Sequence, residues 1–273
     1  MIVDLHSHTS ASDGRLEPEQ LVAAARERKV DVLAVTDHDT VDAIARCTAA
    51  AAGGPMRLLA GVEISCFVDA TEIHILGLAI RPESAGFRDW LGALIAVRVE
   101  RMHRMAAVLE GHGIKLDISE LVRPGRVGSI GRPHIAKLLV DGGHVRNIDD
   151  AFKKWLSPGR PAHVERLRLP AQEAIEKIHE AGGVAIQAHP GQMGKDADIP
   201  RLLEWGLDGL EVHHPDHNHT MRNRYANMCS NLGIIATGGS DYHGIDEHGA
   251  PLGSRSTPAE SWAEIVKRTH LEA

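Results

Sequence analysis

Two histidines one residue apart, His6 and His8, are the first side chains in the sequence whose spacing could do chemistry. Ile2, Val3 and Leu5 predict a short apolar strand that ends at this pair. Side chains on a strand alternate between its faces, so both imidazoles point the same way, about 7 Å apart at the backbone, and both can reach one metal ion. Such a pair also occurs by chance in globular proteins, so a metal site requires ligands from elsewhere in the chain.

Further metal-competent side chains follow other predicted strands. Asp13 comes after a polar turn that lets its carboxylate fold back beside the histidine pair, and His38 ends an apolar run that begins at Val30. Glu63 lies near the end of the apolar segment 56–64, where a carboxylate is costly to bury unless it is paired or bound to a metal. Later strands contribute the remaining candidates, His74, His189, Asp241 and His243. The predicted strand 207–212 also carries Glu211 and is followed by His213 and His214.

Some of these residues also have a structural interpretation. His74, near the beginning of its strand, is typical of a core or loop histidine when it is considered alone. Asp37 and Asp39, on either side of His38, could cap the helix predicted over residues 41–52. Each of these residues, considered alone, therefore leaves the structural and the functional interpretation open.

Seven predicted strands alternate with helices, which favours a parallel α/β barrel. The predicted strands cover residues 2–5, 30–35, 56–64, 73–80, 184–188, 207–212 and 233–237. In such barrels the carboxyl ends of the strands carry the active site. Five clusters of metal-competent residues fall at these ends, and chance does not readily place five clusters on one rim.

The strand–helix alternation stops between residues 81 and 160, which we predict to be an inserted helical cap domain on a barrel formed by residues 1–80 and 161–273. This insertion holds fourteen Lys and Arg against nine Asp and Glu, whereas the whole chain has a net charge of −7. Arg101 and Arg104 recur along one predicted helix, and Arg132 and His134 begin another after Gly131. Helix starts bind anions well, so Arg132 and His134 could hold a phosphate; a capped surface turn is the alternative.

The composition excludes several classes of protein. There is no long uncharged apolar run, so we expect no membrane span, and the charged Asp4 close to the start argues against a secretory signal. Three widely spaced cysteines do not form a disulfide framework, so we expect a cytoplasmic protein. The acidic balance and the scarcity of aromatic residues argue against duplex DNA binding.

Taken together, the motifs resemble the PHP (polymerase and histidinol phosphatase) family of phosphoesterases, which are built on a distorted seven-stranded barrel. The resemblance rests on His6-x-His8, Thr36-Asp37-His38, Glu63, His74, His189-Pro190 and Ser240-Asp241-x-His243. The segments Ser12-Asp13-Gly14 and Gly131-Arg132-Pro133-His134 are similar to one branch, the 3′,5′-nucleoside bisphosphate phosphatases, some of which trim RNA 5′ ends as exoribonucleases.

The resemblance implies three divalent metal ions, with Mn²⁺ expected and Zn²⁺ or Fe²⁺ as alternatives. It assigns His6, His8, Glu63 and Asp241 to the first ion. Glu63 would bridge to a second ion held by His74 and His189, and Asp13, His38 and His243 would hold the third. Many members of the family have a histidine in place of Asp13, which puts the strength and the metal preference of the third site in question.

The resemblance also implies the reaction, in which a metal-bridging hydroxide hydrolyses a phosphomonoester of a nucleoside 3′,5′-bisphosphate or of a short RNA 5′ end. His243 or His213 would protonate the leaving oxygen, and Arg132 and His134, assisted by Arg101 and Arg104, would hold the phosphate that is not cleaved. Two alternatives remain at this point. One is a phosphatase for histidinol phosphate or another small phosphomonoester, and the other is a non-catalytic metal-binding PHP module.

Overall fold

The structure, a computed structural model, describes residues 1–122, 130–244 and 250–271. The strands are β1 (Val3–Asp4), β2 (Val32–Val35), β3 (Arg57–Val68), β4 (Thr71–Leu78), β5 (Val184–Gln187), β6 (Gly209–His213) and β7 (Ile235–Gly238). The α-helices are α1 (Pro18–Glu27), α2 (Ile44–Ala51), α3 (Ala85–Gly111), α4 (Ser119–Val122), α5 (Arg132–Asp141), α6 (Ile148–Ala151), α7 (Ala171–Glu180), α8 (Ile199–Glu204), α9 (His219–Leu232) and α10 (Ala259–Thr269).

The seven strands form one sheet in the order of the sequence, from β1 to β7. The segment that follows β1 is hydrogen-bonded to the end of β7 and the segment after it, so the sheet closes on itself. The Leu5 N–H donates to the Gly238 carbonyl (3.2 Å) and the His8 N–H to the Tyr242 carbonyl (2.9 Å). Ser7 and Tyr242 form a parallel bridge at the same place. The predicted α/β fold is therefore confirmed, and the closing hydrogen bonds make it a barrel.

One strand runs against the predicted parallel direction. β4 is antiparallel to both β3 and β5, whereas the other neighbouring pairs are parallel. The reason is the two-residue connection between Val68 and Thr71, in which Asp69 has a positive φ of 53° and no helix can return the chain. Because of this reversal, the beginning of β4, with His74, lies at the rim where the parallel strands end.

The strands are buried on both faces, as the apolar run of β2 predicts. Val32 and Ala34 pack with Leu5, Leu76 and Ile186 in the barrel interior, which Trp262 and Ile265 of α10 also contact. Leu33 and Val35 point the other way and pack against apolar residues of α1 and α2. This two-sided burial holds the strand ends, and the side chains that follow them, in fixed positions.

The chain divides into two compact units, Met1–Asp89 with Arg168–Ala273, and Trp90–Leu167. The sequence prediction placed the corresponding boundaries at 80/81 and 160/161. The second unit has its own core, in which Met102, Met105 and Leu109 of α3 pack with Ile135 and Leu139 of α5. Asn147 caps α6 by accepting the Asp150 N–H, and α6 continues as a π-helical turn over Phe152–Leu156. None of the helices in the described ranges is long and apolar enough to cross a membrane.

Candidate metal centre

The nine side chains proposed as metal ligands meet at one end of the barrel. In the described ranges, the groups of three or more His, Cys, Asp or Glu residues close enough to hold an ion are all drawn from these nine. The nine are His6, His8, Asp13, His38, Glu63, His74, His189, Asp241 and His243. Each follows or lies near the rim end of a strand, which is why residues separated by more than two hundred positions converge.

Four of these side chains point their ligand atoms at one another. His6 Nε2 lies 3.1 Å from His8 Nε2, and both nitrogens lie 3.3 Å from Glu63 Oε2. Asp241 Oδ1 is 3.2 Å from His6 Nε2 and 3.1 Å from His8 Nε2. Two imidazole nitrogens that face each other at this distance cannot both carry a proton, whereas a shared cation satisfies both lone pairs and both carboxylates. This donor set fits a divalent metal.

Glu63 faces a second set of ligands with its other oxygen. Oε1 lies 2.7 Å from His74 Nδ1 and 3.0 Å from His189 Nε2. The carboxylate, which is 1% exposed, therefore stands between the first group and this one. One oxygen of this carboxylate is thus directed at each of the two groups.

A third group surrounds Asp13, which is the most exposed carboxylate of the nine, at 42% of its side chain. His243 Nε2 lies 3.4 Å from Asp13 Oδ1 and His38 Nε2 lies 3.6 Å from Asp13 Oδ2. His38 also approaches Glu63, with Nδ1 3.2 Å from Oε2. His8 similarly presents Nδ1 to Asp13 at 3.7 Å while Nε2 faces the first group. The three groups are thus contiguous, with histidines lying between them.

The electrostatics keep the carboxylates of this cluster ionised. Burial alone would raise the pKa of Glu63, but His38, His74 and His6 hold it well below its usual range. His6 and the hydrogen bonds of His214 and His8 likewise outweigh burial and lower the pKa of Asp241. Protonated histidines balance the negative charge of these carboxylates when no metal is bound. At His8, hydrogen bonds to Asp241 and Glu63 outweigh the effect of burial and raise the pKa to about 10. Metal binding must therefore displace protons from the imidazoles.

Two buried residues that sequence reasoning did not assign support the ligands. Glu211 Oε1 lies 3.0 Å from His6 Nδ1, and its Oε2 accepts the His189 N–H at 2.9 Å. His214 Nε2 lies 3.3 Å from Asp241 Oδ2. A carboxylate inside the apolar strand β6 is the same signal that identified Glu63, and it could have identified Glu211 as well.

The structure places His213 apart from this cluster. Burial and the charges of Arg222 and Arg255 lower the pKa of its imidazole, and neither arginine belongs to the cluster. The cause is a β-bulge: Glu211 pairs with Thr237 and His213 with Gly238, so one extra residue reverses the alternation of side chains along β6. His214, instead of His213, consequently turns towards the metal ligands.

Carboxylates also anchor the loops that carry the ligands. Asp37 accepts hydrogen bonds from the Thr9 N–H (2.8 Å), the Thr9 hydroxyl (2.7 Å) and the Ser12 hydroxyl (2.6 Å), and so fixes the turn before Asp13. Asp4 accepts the N–H groups of Ser240 and Gly253 at 2.8 and 2.7 Å. Asp39 accepts the Ser65 N–H at 3.1 Å. These bonds form across the barrel rim, so Asp37 and Asp39 do not serve as the helix caps that the sequence left open.

The backbone is strained at two of the ligands. His189 and Asp241 have positive φ values of 27° and 50°, in a region that residues with a Cβ rarely adopt. Gly239 allows the close approach that the first group needs, because a Cβ there would lie 2.3 Å from the Cβ of His6. Strain of this kind persists where the surrounding structure imposes it, and it clusters at functional sites.

The chain matches the PHP domain family over residues 4–181, which is more than half of its length. It belongs to the PHP family. A 3′,5′-nucleoside bisphosphate phosphatase of Chromobacterium violaceum is 34% identical over 257 residues, covering 92% of this chain and 90% of the relative. A 5′-3′ exoribonuclease Rnm of Salmonella typhimurium is 36% identical over 260 residues, covering 89% of this chain and 85% of the relative.

A solved structure has the same fold over nearly its whole length. A Bifidobacterium adolescentis protein described as a metal-dependent phosphoesterase superimposes with a TM-score of 0.84 at 30% identity, covering 97% of this chain and 95% of that one. Together with the ligand groups at the rim, these likenesses make the protein a metal-dependent PHP phosphoesterase, a hydrolase acting on phosphoric esters.

The predicted phosphate-binding residues of this PHP protein lie in the second compact unit. Arg132 and His134 occupy the first turn of α5, where His134 Nδ1 accepts the Gly131 N–H at 3.2 Å and the Arg132 guanidinium lies 5.8 Å from the Phe152 ring centroid. Arg101 is only 8% exposed and donates from Nε to the Val164 carbonyl at 2.8 Å.

Arg104, one turn further along α3, is exposed and donates to Glu100 at 2.9 Å. Arg101 and Arg104 therefore already have partners within their own unit. The assignment of Arg101, Arg104, Arg132 and His134 to phosphate binding remains a prediction.

Proposed function

We propose that this phosphoesterase hydrolyses a phosphomonoester of nucleoside 3′,5′-bisphosphates, such as adenosine 3′,5′-bisphosphate, and also acts on short RNA 5′ ends. The observation that carries the proposal is the position of Glu63, whose two oxygens face two separate sets of histidines. Cations placed on both sides of one carboxylate suit phosphoryl transfer. The substrate class follows from the similarity to relatives with those two activities.

We propose that these ligand groups hold three divalent ions, with Mn²⁺ expected and Zn²⁺ or Fe²⁺ as alternatives. His6, His8, Glu63 and Asp241 would hold the first, with His74 and His189 sharing Glu63 for the second. Asp13, His38 and His243 would hold the third. When bound, such ions polarise a phosphoryl oxygen and lower the pKa of a coordinated water.

The protein's own residues fix the protons of this site. If His6 Nδ1 donates to Glu211, His6 Nε2 keeps its lone pair directed at the first group. His243 Nδ1 lies 2.8 Å from the Asp241 carbonyl, to which it can only donate, so Nε2 is the unprotonated atom that faces Asp13. His243 Nε2 can hold a cation or carry a proton to the leaving oxygen, but not both at once. We therefore propose His243 as a proton donor only while the Asp13 group holds no ion.

Arg132 and His134 would bind the phosphate that is not cleaved. A guanidinium binds phosphate through two parallel hydrogen bonds, and the N-terminal end of α5 adds a favourable helix dipole. Such a clamp selects substrates that carry two phosphates. Arg101 and Arg104 would have an assisting role, because their Nε atoms already donate to Val164 and Glu100.

Phosphate release in the presence of Mn²⁺ tests the proposal, with adenosine 3′,5′-bisphosphate, adenosine 5′-monophosphate and histidinol phosphate as substrates. We expect a strong preference for the bisphosphate that Arg132→Ala abolishes and the exposed control Arg146→Ala retains. Equal rates on all three substrates would contradict the substrate assignment and favour a general small-phosphomonoester phosphatase. No release from any substrate by metal-loaded protein would contradict the proposed reaction.

A further inference from the structure

A groove of about 280 Å³ lies on the barrel unit, beside the tip of the β3–β4 hairpin and outside the metal centre. Its walls include the rings of Phe67 and Trp205, the guanidinium groups of Arg168 and Arg201, and the carboxylate of Asp69. The chain has only three Phe and four Trp, so two of these seven rings in one groove is a marked concentration.

Each arginine of this hairpin groove lies over one of its aromatic rings, Arg201 close to its ring and Arg168 farther from it. The Arg201 guanidinium carbon lies 4.6 Å from the Trp205 ring centroid, and Arg201 Nη1 donates to Asp69 Oδ2 at 2.9 Å. The Arg201 side chain nevertheless stays 47% exposed. Its guanidinium is thus held as a flat, accessible surface by the ring on one side and the carboxylate at its edge.

Arg168 is arranged differently. Its guanidinium carbon lies 6.0 Å from the Phe67 ring centroid, and the Phe67 N–H donates to the Leu169 carbonyl at 2.8 Å, which ties the Arg168 backbone to β3. Among the residues that the structure describes, no carboxylate pairs with Arg168. The groove therefore offers one positive charge that is not neutralised within it, next to two rings and a second guanidinium plane.

These features match the chemistry of single-stranded RNA. Unstacked bases bind by stacking on aromatic rings and on arginine guanidinium planes, and positively charged grooves follow the phosphodiester backbone. An acidic peptide could pair with Arg168, but it would leave the flat surfaces of Arg201 and Trp205 without a partner. The combination favours a nucleotide chain over an acidic peptide.

The hairpin groove is also in line with the metal centre. Glu63 and Phe67 are four residues apart on β3, so their side chains share one face of the strand, about 13 Å apart along it. On the paired strand β4, Glu72 lies opposite Phe67 and Leu76 opposite Glu63. Leu76 belongs to the barrel interior, so this face continues from the interior past the metal ligands to the groove.

We propose that the groove formed by Phe67, Arg168, Arg201 and Trp205 binds the nucleotides that follow the terminal one in a single-stranded RNA substrate. The proposal rests on the proposed function, because it assumes that the RNA 5′ end lies at the metal centre. A nucleoside bisphosphate is too short to occupy both places. The groove consequently distinguishes RNA ends from free nucleotides.

The test compares two substrates within each variant. For wild type, Arg168→Gln, Phe67→Leu and the exposed control Arg28→Gln, kcat/KM is measured on a short 5′-phosphorylated oligoadenylate and on adenosine 3′,5′-bisphosphate. We expect the oligonucleotide-to-bisphosphate ratio to fall about tenfold in Arg168→Gln and in Phe67→Leu, the loss of one base or phosphate contact. In Arg28→Gln the ratio stays unchanged.

A binding measurement that needs no hydrolysis separates this proposal from the proposed function. A fluorescent 5′-hydroxyl oligoadenylate, which lacks the phosphate to be cleaved, should bind Arg168→Gln about tenfold more weakly than the wild-type chain. The slope of log K against the logarithm of the salt concentration should fall by about 1 in this variant. Equal binding by wild type and both groove variants, with unchanged kinetic ratios, would contradict RNA binding by the groove. If the protein hydrolysed neither substrate but still bound the oligoadenylate more tightly than its groove variants do, the proposed function would be contradicted and RNA binding by the groove would be supported.

Discussion

Glu211 Oε1 lies 3.0 Å from His6 Nδ1, and both side chains are completely buried. The same carboxylate accepts the backbone N–H of His189 through its other oxygen. One residue of β6 therefore orients ligands that come from two other strands, β1 and β5. A carboxylate behind a ligating histidine fixes its tautomer and increases its basicity, so we predict that Glu211 is a positioning residue of the candidate metal centre.

Glu211→Gln should weaken metal binding by about 10- to 100-fold, because glutamine fills the same space but removes the charge that holds His6. The measurement is metal content after dialysis against graded chelator, with the exposed substitution Glu204→Gln as control. An unchanged thermal midpoint of the metal-free protein would show that the loss concerns the ligand. Metal affinity equal to that of wild type would contradict the positioning role.

Asp13 is the only carboxylate in its ligand group, and it is the most exposed of the nine proposed ligands. Asp13→Ala should therefore remove one ion from the protein while the ions near Glu63 remain, because the Asp13 carboxylate contacts His8, His38 and His243. Elemental analysis of purified protein gives the number of ions per chain. Loss of every ion would show that the three groups bind as one cooperative unit.

A Cβ at position 239 would lie 2.3 Å from the His6 Cβ and 2.5 Å from its backbone nitrogen. Backbone atoms of β1 cannot move aside cheaply, so Gly239→Ala should displace His6 and destabilise the fold by about 1–3 kcal/mol. Chemical unfolding measures the cost, and the control is Gly86→Ala, where a Cβ meets nothing within 4 Å. Equal stability of the two variants would contradict the close packing of Gly239 on His6.

The sequence predicted which metal-competent side chains meet at the rim, because the rule behind their placement is local. A strand that is apolar throughout must end at a barrel rim, and the polar residue after it, such as His38 or His189, lies at that rim wherever the neighbouring strands are. Which of His213 and His214 faces the cluster follows a different rule. It depends on the bulge opposite Thr237, which is a property of the pairing of β6 with β7.

The direction of β4 was also beyond local reasoning. The connection Asp69-Ala70 lacks the Asn-Gly or Gly-rich sequence that usually marks a tight hairpin, although Asp69 adopts the positive φ that such a turn needs. Glu211 was visible as a carboxylate in an apolar strand, but its partner His6 is 205 residues away and only the closed barrel brings the two together.

Asp208 contributes to stability away from the metal centre. Asp208 binds three elements at once: it lies 2.8 Å from His179 Nε2 of α7, and accepts the Ala185 N–H of β5 and Arg268 Nη1 of α10, each at 2.9 Å. Burial would raise the pKa of Asp208, but His179, Ala185 and Arg268 lower it below its ordinary value of 3.8. The hydrogen bond to Asp208 raises the pKa of His179 above its ordinary value of 6.5.

The signs of these two shifts define a pH window. The stabilisation from Asp208 is present above pH 3.8 and is lost as pH falls through its lowered pKa, whereas that from protonated His179 is full below pH 6.5 and is lost as pH rises through its raised pKa. Asp208→Asn should therefore reduce the free energy of unfolding by about 2 kcal/mol near pH 6, and by less at pH 9. Urea unfolding at a fixed metal concentration measures this difference, in which pH effects of the metal centre cancel. In a His179→Gln background the cost of Asp208→Asn should no longer vary between these pH values, and a cost that still varied would assign the pH dependence to another group.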